Sequence, residues 1–382
     1  MKTPQKKPSV LYVSRALTPP WDEASKNFAH DLAKHITGVD LTVMTCGRVD
    51  DLPPRVTQAD IYAPAPPSTF STRQKLQALW YQWRTRRSFD IVHYFFTPAK
   101  LNAFFIRTFF RNKHTKTVQT VATLRDDILS GEDFRRVLFA DRLVTYTRFA
   151  QRALQQMGFD NVTHAYPGID LAHFTPGRKD PATLTHFTLT PEQTIILYPG
   201  EYIRLGATDM IIDALCALWR SDAPYARDTI LVLGLRVKND ADAQKKLAIE
   251  KRLADEGFAD RVRYTDTFAD MRSLYNLADI VLFPVANMHG KFDVPLALIE
   301  AYACGKPVIV SNIPRLREFT NTDISVIIES EDTAQLTYAI DQLIRNAAQR
   351  DAIGAAARAF TEQHFDIKKT AQHYEQLYRE LR

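Results

Sequence analysis

Short apolar runs recur along the chain, separated by longer stretches of helical pattern. The first group is Val10-Leu11-Tyr12-Val13-Ser14, Asp40-Leu41-Thr42-Val43-Met44, Asp90-Ile91-Val92-His93, Thr117-Val118-Gln119-Thr120-Val121 and Arg142-Leu143-Val144-Thr145-Tyr146. The second group is Thr194-Ile195-Ile196-Leu197-Tyr198, Thr229-Ile230-Leu231-Val232-Leu233, Arg261-Val262-Arg263-Tyr264, Asp279-Ile280-Val281-Leu282-Phe283, Pro307-Val308-Ile309-Val310 and Ile324-Ser325-Val326-Ile327-Ile328. Continuous runs of this kind predict strands buried on both faces, so the alternation reads as α/β with parallel sheets. Helices are predicted over about Glu23 to His35, roughly Thr72 to Arg86, and through most of the tail from Thr333 to Arg382. Pro53, Pro54, Pro64, Pro66 and Pro67 exclude a long helix in their segment. Pro176-Gly177-Arg178-Lys179-Asp180-Pro181-Ala182-Thr183 is the linker candidate between two similar halves, and a crevice between such halves is a natural ligand site.

A length of 382 residues suffices for two cores, and a hydrophobic fraction of 45% is that of a soluble globular protein. No apolar run reaches membrane-spanning length, and Met1-Lys2-Thr3-Pro4-Gln5-Lys6-Lys7 carries no stretch of signal-peptide type. Cys46, Cys216 and Cys304 stand too far apart for a metal spacing or a disulfide framework, which fits a reducing cytoplasm.

The net charge of +5 hides an asymmetry. Residues 1–180 carry 26 Lys and Arg against 16 Asp and Glu; residues 181–382 carry 23 against 28. Within 73–116, ten basic residues face the single acid Asp90, among eleven aromatics that include Trp80, Tyr81, Trp83, Phe104, Phe105, Phe109 and Phe110. Basic residues interleaved with aromatics suit an anionic membrane surface. The alternatives are a helix with an aromatic core face and a solvated basic face, or nucleic acid, of which the last is set aside.

Glu300 is a lone carboxylate in an otherwise apolar stretch, Phe292-Asp293-Val294-Pro295-Leu296-Ala297-Leu298-Ile299-Glu300-Ala301-Tyr302-Ala303-Cys304-Gly305-Lys306-Pro307. Pro295 suits the first helical position and Gly305 the helix stop. A carboxylate about one and a half turns into this helix, beyond the strand at 280–283, sits where open α/β sheets take ligands. It is expensive to desolvate unless something hydrogen-bonds to it, and it can accept both hydroxyls of a ribose. A salt bridge to a neighbour is the other reading.

Three stretches, in order, resemble the retaining GT-B glycosyltransferases of family 4 (glycosyl transferases group 1). Ala165-Tyr166-Pro167-Gly168-Ile169-Asp170-Leu171-Ala172-His173-Phe174-Thr175-Pro176 resembles the interdomain signature. Leu197-Tyr198-Pro199-Gly200-Glu201-Tyr202-Ile203-Arg204-Leu205-Gly206, running into Asp209-Met210-Ile211-Ile212-Asp213-Ala214-Leu215, is similar to the opening of the nucleotide-binding domain. Pro295 to Pro307 is similar to the donor-binding helix. The resemblance implies GT-B architecture: two Rossmann-like doubly wound domains facing across a cleft. Residues 1–175 would be the acceptor domain, 176–365 the nucleotide-sugar-binding domain, and 366–382 a helix packing back on the N-terminal domain. It implies transfer from a nucleotide-diphosphate sugar, a UDP- or GDP-sugar, to a glycan, lipid-linked or small acceptor, with retention and with neither metal nor other cofactor. Together with the cysteine usage and the basic, aromatic segment, this leads to the expectation of a cytoplasmic enzyme, peripheral on the inner face of the membrane.

Residue by residue, Glu300 matches the second Glu of the family's Glu-x7-Glu motif, the ribose ligand. Phe292 stands where the first Glu would be, and Asp293 beside it either contacts a sugar hydroxyl or caps the helix. The backbone N–H groups of Leu296 and Ala297 suit a phosphate. The family has an Arg after the glycine matched by Gly200 and a Lys before a second glycine; here Glu201 and Leu205 occupy those positions. Arg204 is then the candidate for the diphosphate, since a guanidinium holds two phosphate oxygens at once, with Lys291 and Arg236 as further cations. The backbone at 265–268 falls where the base would lie. The paired glycines expected after the first strand are replaced by Ala24-Ser25-Lys26-Asn27, so Ser25 and Lys26 would face the donor. Ala122 replaces a frequent His, while His93 matches a recurrent one, either catalytic or structural. Arg204, Asp293 and His93 are the catalytic candidates. The departures at Phe292, Glu201 and Ala122 leave a second reading, a non-catalytic GT-B subunit that binds a sugar or a partner protein.

Overall fold

The computed structural model describes residues 6–19, 23–64, 71–110, 113–221, 223–266, 268 and 270–382. Pro66 and Pro67 of the Pro-rich segment, residues 111 and 112 of the basic segment, and Thr267 of the expected base-contacting loop lie outside the described residues. The chain forms two compact units. The first comprises Met1–Asp170, Gly290–Val294 and Phe365–Arg382; the second comprises Leu171–His289 and Pro295–His364.

The first unit holds β1 (Ser9–Val13), β2 (Asp40–Thr45), β3 (Thr57–Asp60), β4 (Ile91–Tyr94), β5 (Lys116–Val121), β6 (Arg142–Thr145) and β7 (Val162–His164). They pair in parallel in the order β3-β2-β1-β4-β5-β6-β7. The order reverses between β1 and β4, where Tyr12 lies opposite His93. Leu11, Val13, Met44, Val92 and Tyr94 form one buried cluster beside the sheet. Val121, Phe134, Leu143 and Leu154 form another.

The second unit holds β8 (Thr194–Tyr198), β9 (Thr229–Leu233), β10 (Val262–Tyr264), β11 (Ile280–Phe283), β12 (Val308–Ser311) and β13 (Val326–Ile328). These are also parallel, in the order β10-β9-β8-β11-β12-β13. Every residue of β9, β11 and β12 is buried, as expected for strands covered by helices on both faces. The linker candidate lies inside this unit. Gly177 N–H donates to Asn276 Oδ1 at 2.9 Å, and Pro181 opens a helix (Pro181–His186) capped by Asp180.

The Gly168 of the signature stretch is required by close approach of the tail. A Cβ at that position would stand 2.3 Å from Ile367 Cα. Ile169 pairs with Asp366 in a parallel bridge, and the helix Ile367–Leu381 follows within the first unit. From that helix, Glu375 Oε1 accepts the N–H groups of Thr37 and Gly38, each at 2.7 Å.

The basic, aromatic segment divides its aromatics between core and surface: Tyr81, Phe89, Phe96 and Phe110 pack against the first cluster. The helix Thr72–Thr85 starts at a capping box between Ser71 and Gln74, and it buries Gln74, Ala78 and Gln82. Leu76, Trp80 and Trp83 face outward, 61%, 55% and 52% exposed. Spacing of three and four residues places them on one stripe. Leu101, Phe104 and Phe109, on the helix Lys100–Phe105 and the π-helical turn Ile106–Phe110, are exposed as well.

Candidate functional site: the carboxyl-end loops of the second sheet

β8 and β11 are neighbours although β9 and β10 intervene in sequence. The strand order therefore reverses between them, and the loops beyond their carboxyl ends are the place for a ligand. The loops are fastened to one another. Ala286 N–H donates to Leu205 O at 2.9 Å, and Gly234 N–H donates to Tyr198 O at 2.9 Å. Gly206 turns the chain at φ 68°, a left-handed conformation that favours glycine. At Gly200 a Cβ would stand 2.2 Å from the Tyr198 ring, so the β8 loop requires glycine there too.

Beyond β11 the chain enters the helix Leu296–Ala303. Pro295 is its N-cap and not its first residue, so the helix begins one residue later than the sequence suggests, and no side chain caps this end. The first-turn N–H groups, including those of the half-buried Leu296 and Ala297, thus have no side-chain acceptor at the cap. The helix stops in a Schellman turn. Gly305, at φ 68°, donates to Tyr302 O at 2.9 Å, and Lys306 N–H donates to Ala301 O at 3.0 Å. Gly354, where a Cβ would meet Gly305 O at 2.1 Å, lets the helix Ala347–His364 approach this turn.

Glu300 is half-buried in the second turn, among the buried Leu298, Ile299, Ala301 and Tyr302. The hydroxyl of Tyr275 donates to its Oε2 at 2.9 Å. Tyr275 is fully buried, and burial together with the Glu300 charge holds its phenol protonated, well above the ordinary range. One carboxylate oxygen is therefore fixed by a permanent donor. An ionised carboxylate has acceptor capacity beyond a single bond, which suits hydroxyl ligands.

Arg204 and Arg236 are exposed on the loops after β8 and β9. Leu205 is buried, with its carbonyl engaged by Ala286. Glu201 is buried as well, and its carboxylate is paired with Lys238 Nζ. Lys238 carried no signal of its own in the sequence, because its partner lies 37 positions away. Beyond β10, Thr265 ties its N–H and hydroxyl to Leu233 O at 3.2 and 3.3 Å.

Gly200, Arg204, Arg236, Leu296, Ala297 and Glu300 belong to the second unit; Ser25, His93, Lys291 and Asp293 belong to the first. Ser25 is half-exposed in the first turn of the helix Ala24–His35, while Lys26 is buried and donates to Thr18 O at 3.2 Å. Lys291 is half-buried. Asp293 does not cap the 296–303 helix. Its two carboxylate oxygens accept the Leu124 N–H at 3.0 and 2.9 Å, and its own N–H donates to Ala122 O at 2.9 Å. Phe292 packs on Tyr146, ring centroids 5.0 Å apart.

His93 has the geometry of a core residue rather than of a group that meets substrate. It is fully buried, with Nδ1 2.6 Å from the Tyr378 hydroxyl and Nε2 2.7 Å from Thr120 Oγ1. Burial pushes its pKa well below the ordinary range. The unfolded chain takes up a proton below about pH 6.5 and the folded chain does not, so stability is full above that pH and falls below it. The expected slope is about 1 kcal/mol per pH unit from this residue. His373, lowered by burial too, adds in the same direction. Urea unfolding at pH 7.5, 6.5 and 5.5 reads the slope; His93→Gln is expected to reduce it, and an unchanged slope contradicts the assignment.

Among the described residues, no group of three or more His, Cys, Asp or Glu is placed to hold a metal ion.

Residues 193–346 match the family model Glycosyl transferases group 1. D-inositol 3-phosphate glycosyltransferase 1 of Catenulispora acidiphila is 26% identical over 372 residues, covering 88% of this chain and 84% of that protein. The D-inositol 3-phosphate glycosyltransferase of Geodermatophilus obscurus is 28% identical over 225 residues, 57% of this chain and 48% of the relative, so that match spans about half of the relative's length. Among solved structures, Anabaena HepE in complex with UDP and glucose superposes with a TM-score of 0.73 at 15% identity, covering 97% of this chain and 99% of that one. Sucrose-phosphate synthase from Thermosynechococcus elongatus gives a TM-score of 0.74 at 18% identity, covering 98% and 99%. The fold is GT-B.

Proposed function

We propose that this chain, a member of the glycosyl transferases group 1 by the match over residues 193–346, transfers a sugar from a nucleotide-diphosphate sugar to a glycan, lipid-linked or small acceptor. The donor is a UDP- or GDP-sugar. The observation that carries this reading is Glu300, a half-buried carboxylate with one oxygen held by Tyr275, beyond the strand at which the sheet order reverses. It positions the ribose and does not react. As the bond to the sugar breaks, the departing nucleoside diphosphate gains negative charge; N–H groups of the helix start at Leu296 and the guanidiniums of Arg204 and Arg236 would stabilise it. Retention, metal independence and the roles expected of Ser25, Lys291 and Asp293 rest on the resemblance alone. His93 is assigned to the core of the first unit.

A thermal-shift screen of UDP-, GDP- and ADP-sugars tests the donor. A ligand at 100 times its dissociation constant stabilises by about 2.7 kcal/mol, and a shift with one of the first two is expected. No shift with any of the three contradicts the reading.

The packing at three departures favours a second reading, a non-catalytic subunit. Phe292 lies on Tyr146, the Ala122 carbonyl is engaged by Asp293, and Glu201 is paired with Lys238. Release of nucleoside diphosphate in the presence of acceptor separates the two, because a binding subunit releases none.

The outward stripe of Leu76, Trp80 and Trp83 supports contact with an anionic membrane surface, since ten basic residues accompany it within 73–116. Two of the arginines stack on these rings: Arg84 on Trp80 and Arg86 on Trp83, at 5.3 and 4.9 Å from the centroids. Among the described residues no helix is long and apolar enough to cross a membrane. Flotation with phosphatidylserine-containing liposomes is expected to carry the protein upward at low salt. Trp80→Ala with Trp83→Ala is expected to lower the bound fraction roughly tenfold, since each buried large apolar side chain contributes about 1.5–3 kcal/mol and insertion here is partial. Flotation indifferent to salt, lipid charge and these substitutions contradicts the assignment.

A further inference from the structure

Position 201 poses a physical problem. Its side chain is only 7% exposed, and an ionised carboxylate buried to that degree costs several kcal/mol unless it is paired. The partner is Lys238, whose own side chain is 41% exposed. The pair is therefore lopsided: the acid is inside and the ammonium is at the surface, held from beneath.

The ammonium's backbone is also fixed. Lys238 N–H donates to Asp242 Oδ2 at 3.1 Å, and Asn239 caps the helix Asp240–Asp255 that follows. The strands that lead into the loops of Glu201 and Lys238, β8 and β9, are adjacent, and the Gly234–Tyr198 hydrogen bond ties their ends. Arg204 and Arg236 are exposed on the same two loops. The carboxylates of Glu201 and Asp242 thus fix Lys238 at this edge of the sheet, the first through its ammonium and the second through its backbone N–H.

We propose that Lys238 contacts the diphosphate of the donor and that Glu201 is its positioning residue. The inference rests on the donor reading above and names which group holds the phosphates. A positive charge is thereby present beside Gly200 although position 201 itself is acidic. The ammonium offers three donors, one set engaged by Glu201 and the rest available to phosphate oxygens.

The test is equilibrium binding of inorganic pyrophosphate, UDP and uridine to the full chain and its variants. Lys238→Met alone takes the ammonium from a buried carboxylate and risks unfolding, so it is paired with the double variant Lys238→Met/Glu201→Gln, which removes both charges together. The double variant is expected to bind pyrophosphate and UDP about tenfold more weakly, about 1.4 kcal/mol, with uridine binding unchanged. Lys238→Arg is expected to retain most of the affinity. Glu201→Gln alone is expected to weaken UDP less than the double variant does, again without affecting uridine.

Wild-type affinity for pyrophosphate and UDP in the double variant overturns the proposal. So does an equal loss for uridine and UDP, which marks a general disturbance of the loops, and so does a wild-type chain that binds no pyrophosphate. Pyrophosphate binding that depends on Lys238, in a chain that takes up no nucleotide sugar, refutes the donor reading and leaves the anion site standing.

Discussion

Glu300→Ala is expected to weaken binding of the nucleotide-sugar donor by on the order of 1–3 kcal/mol, the range for a buried polar contact left unmade. Two losses combine. The ribose hydroxyls lose their acceptor, and the Tyr275 hydroxyl, which donates to Glu300 at 2.9 Å from a fully buried ring, loses its partner inside the protein. Glu300→Gln keeps an acceptor oxygen but not the charge, so it is expected to lose less. Tyr275→Phe leaves the carboxylate in place without its fixed orientation, and it is expected to fall between wild type and Glu300→Ala. Calorimetric titration of the donor across this series checks the order; an unchanged affinity in Glu300→Ala contradicts the ribose assignment. The same series separates binding from folding. A loss of stability without a loss of affinity would mean that Glu300 serves the core alone.

Gly168→Val is expected to destabilise the protein by about 3 kcal/mol or more, at the upper end for overpacking. The obstacle is backbone: the new Cβ would stand 2.3 Å from Ile367 Cα and 2.6 Å from Ile367 N. Neither strand of this contact is free to slide. Ile169 N–H donates to Phe365 O at 2.8 Å, Ile367 N–H donates to Ile169 O at 3.2 Å, and Thr370 Oγ1 donates to Tyr166 O at 3.2 Å. Separating them detaches the helix Ile367–Leu381, which carries Glu375 onto Thr37 and Gly38 and Tyr378 onto His93. Gly131→Ala is the control, because nothing lies within 4 Å of a Cβ there and the residue opens a helix. Urea unfolding is expected to show the control unchanged or slightly stabilised. A Gly168→Val protein of wild-type stability contradicts the packing described.

The central strands were legible because burial on both faces leaves an unbroken apolar run. The spans at 194–198 and 229–233 coincide with β8 and β9. Thr57–Asp60 and Val162–His164 were not, since both are edge strands, short and partly polar, and nothing in their pattern separates them from loop. The Pro-Gly stretch at 176–183 reads as a linker by composition, yet Asp180 and Pro181 are also the residues that start a helix, and here they do.

At the candidate site, Glu300 was conspicuous as a lone charge in an apolar helix, and its Tyr275 partner was not, being 25 positions away. Lys238 was invisible for the same reason: only the fold sets it against Glu201. For Asp293 the helix start suggested a cap, but its carboxylate bonds the Leu124 N–H instead. Leu76, Trp80 and Trp83 follow a helical stripe that composition alone cannot orient. Gln74, Ala78 and Gln82 are buried with Tyr81 packed against the core, and Leu76, Trp80 and Trp83 face outward.

The most direct test of the account is a crystal of the full chain soaked in turn with UDP-glucose and with GDP-glucose. The expected result is electron density with the ribose hydroxyls on the Glu300 carboxylate, the Tyr275 hydroxyl still donating to Oε2, and the diphosphate against the first turn of the 296–303 helix. Density for the nucleotide elsewhere, or Glu300 turned wholly to protein groups with no nucleotide bound at saturating concentration, contradicts it.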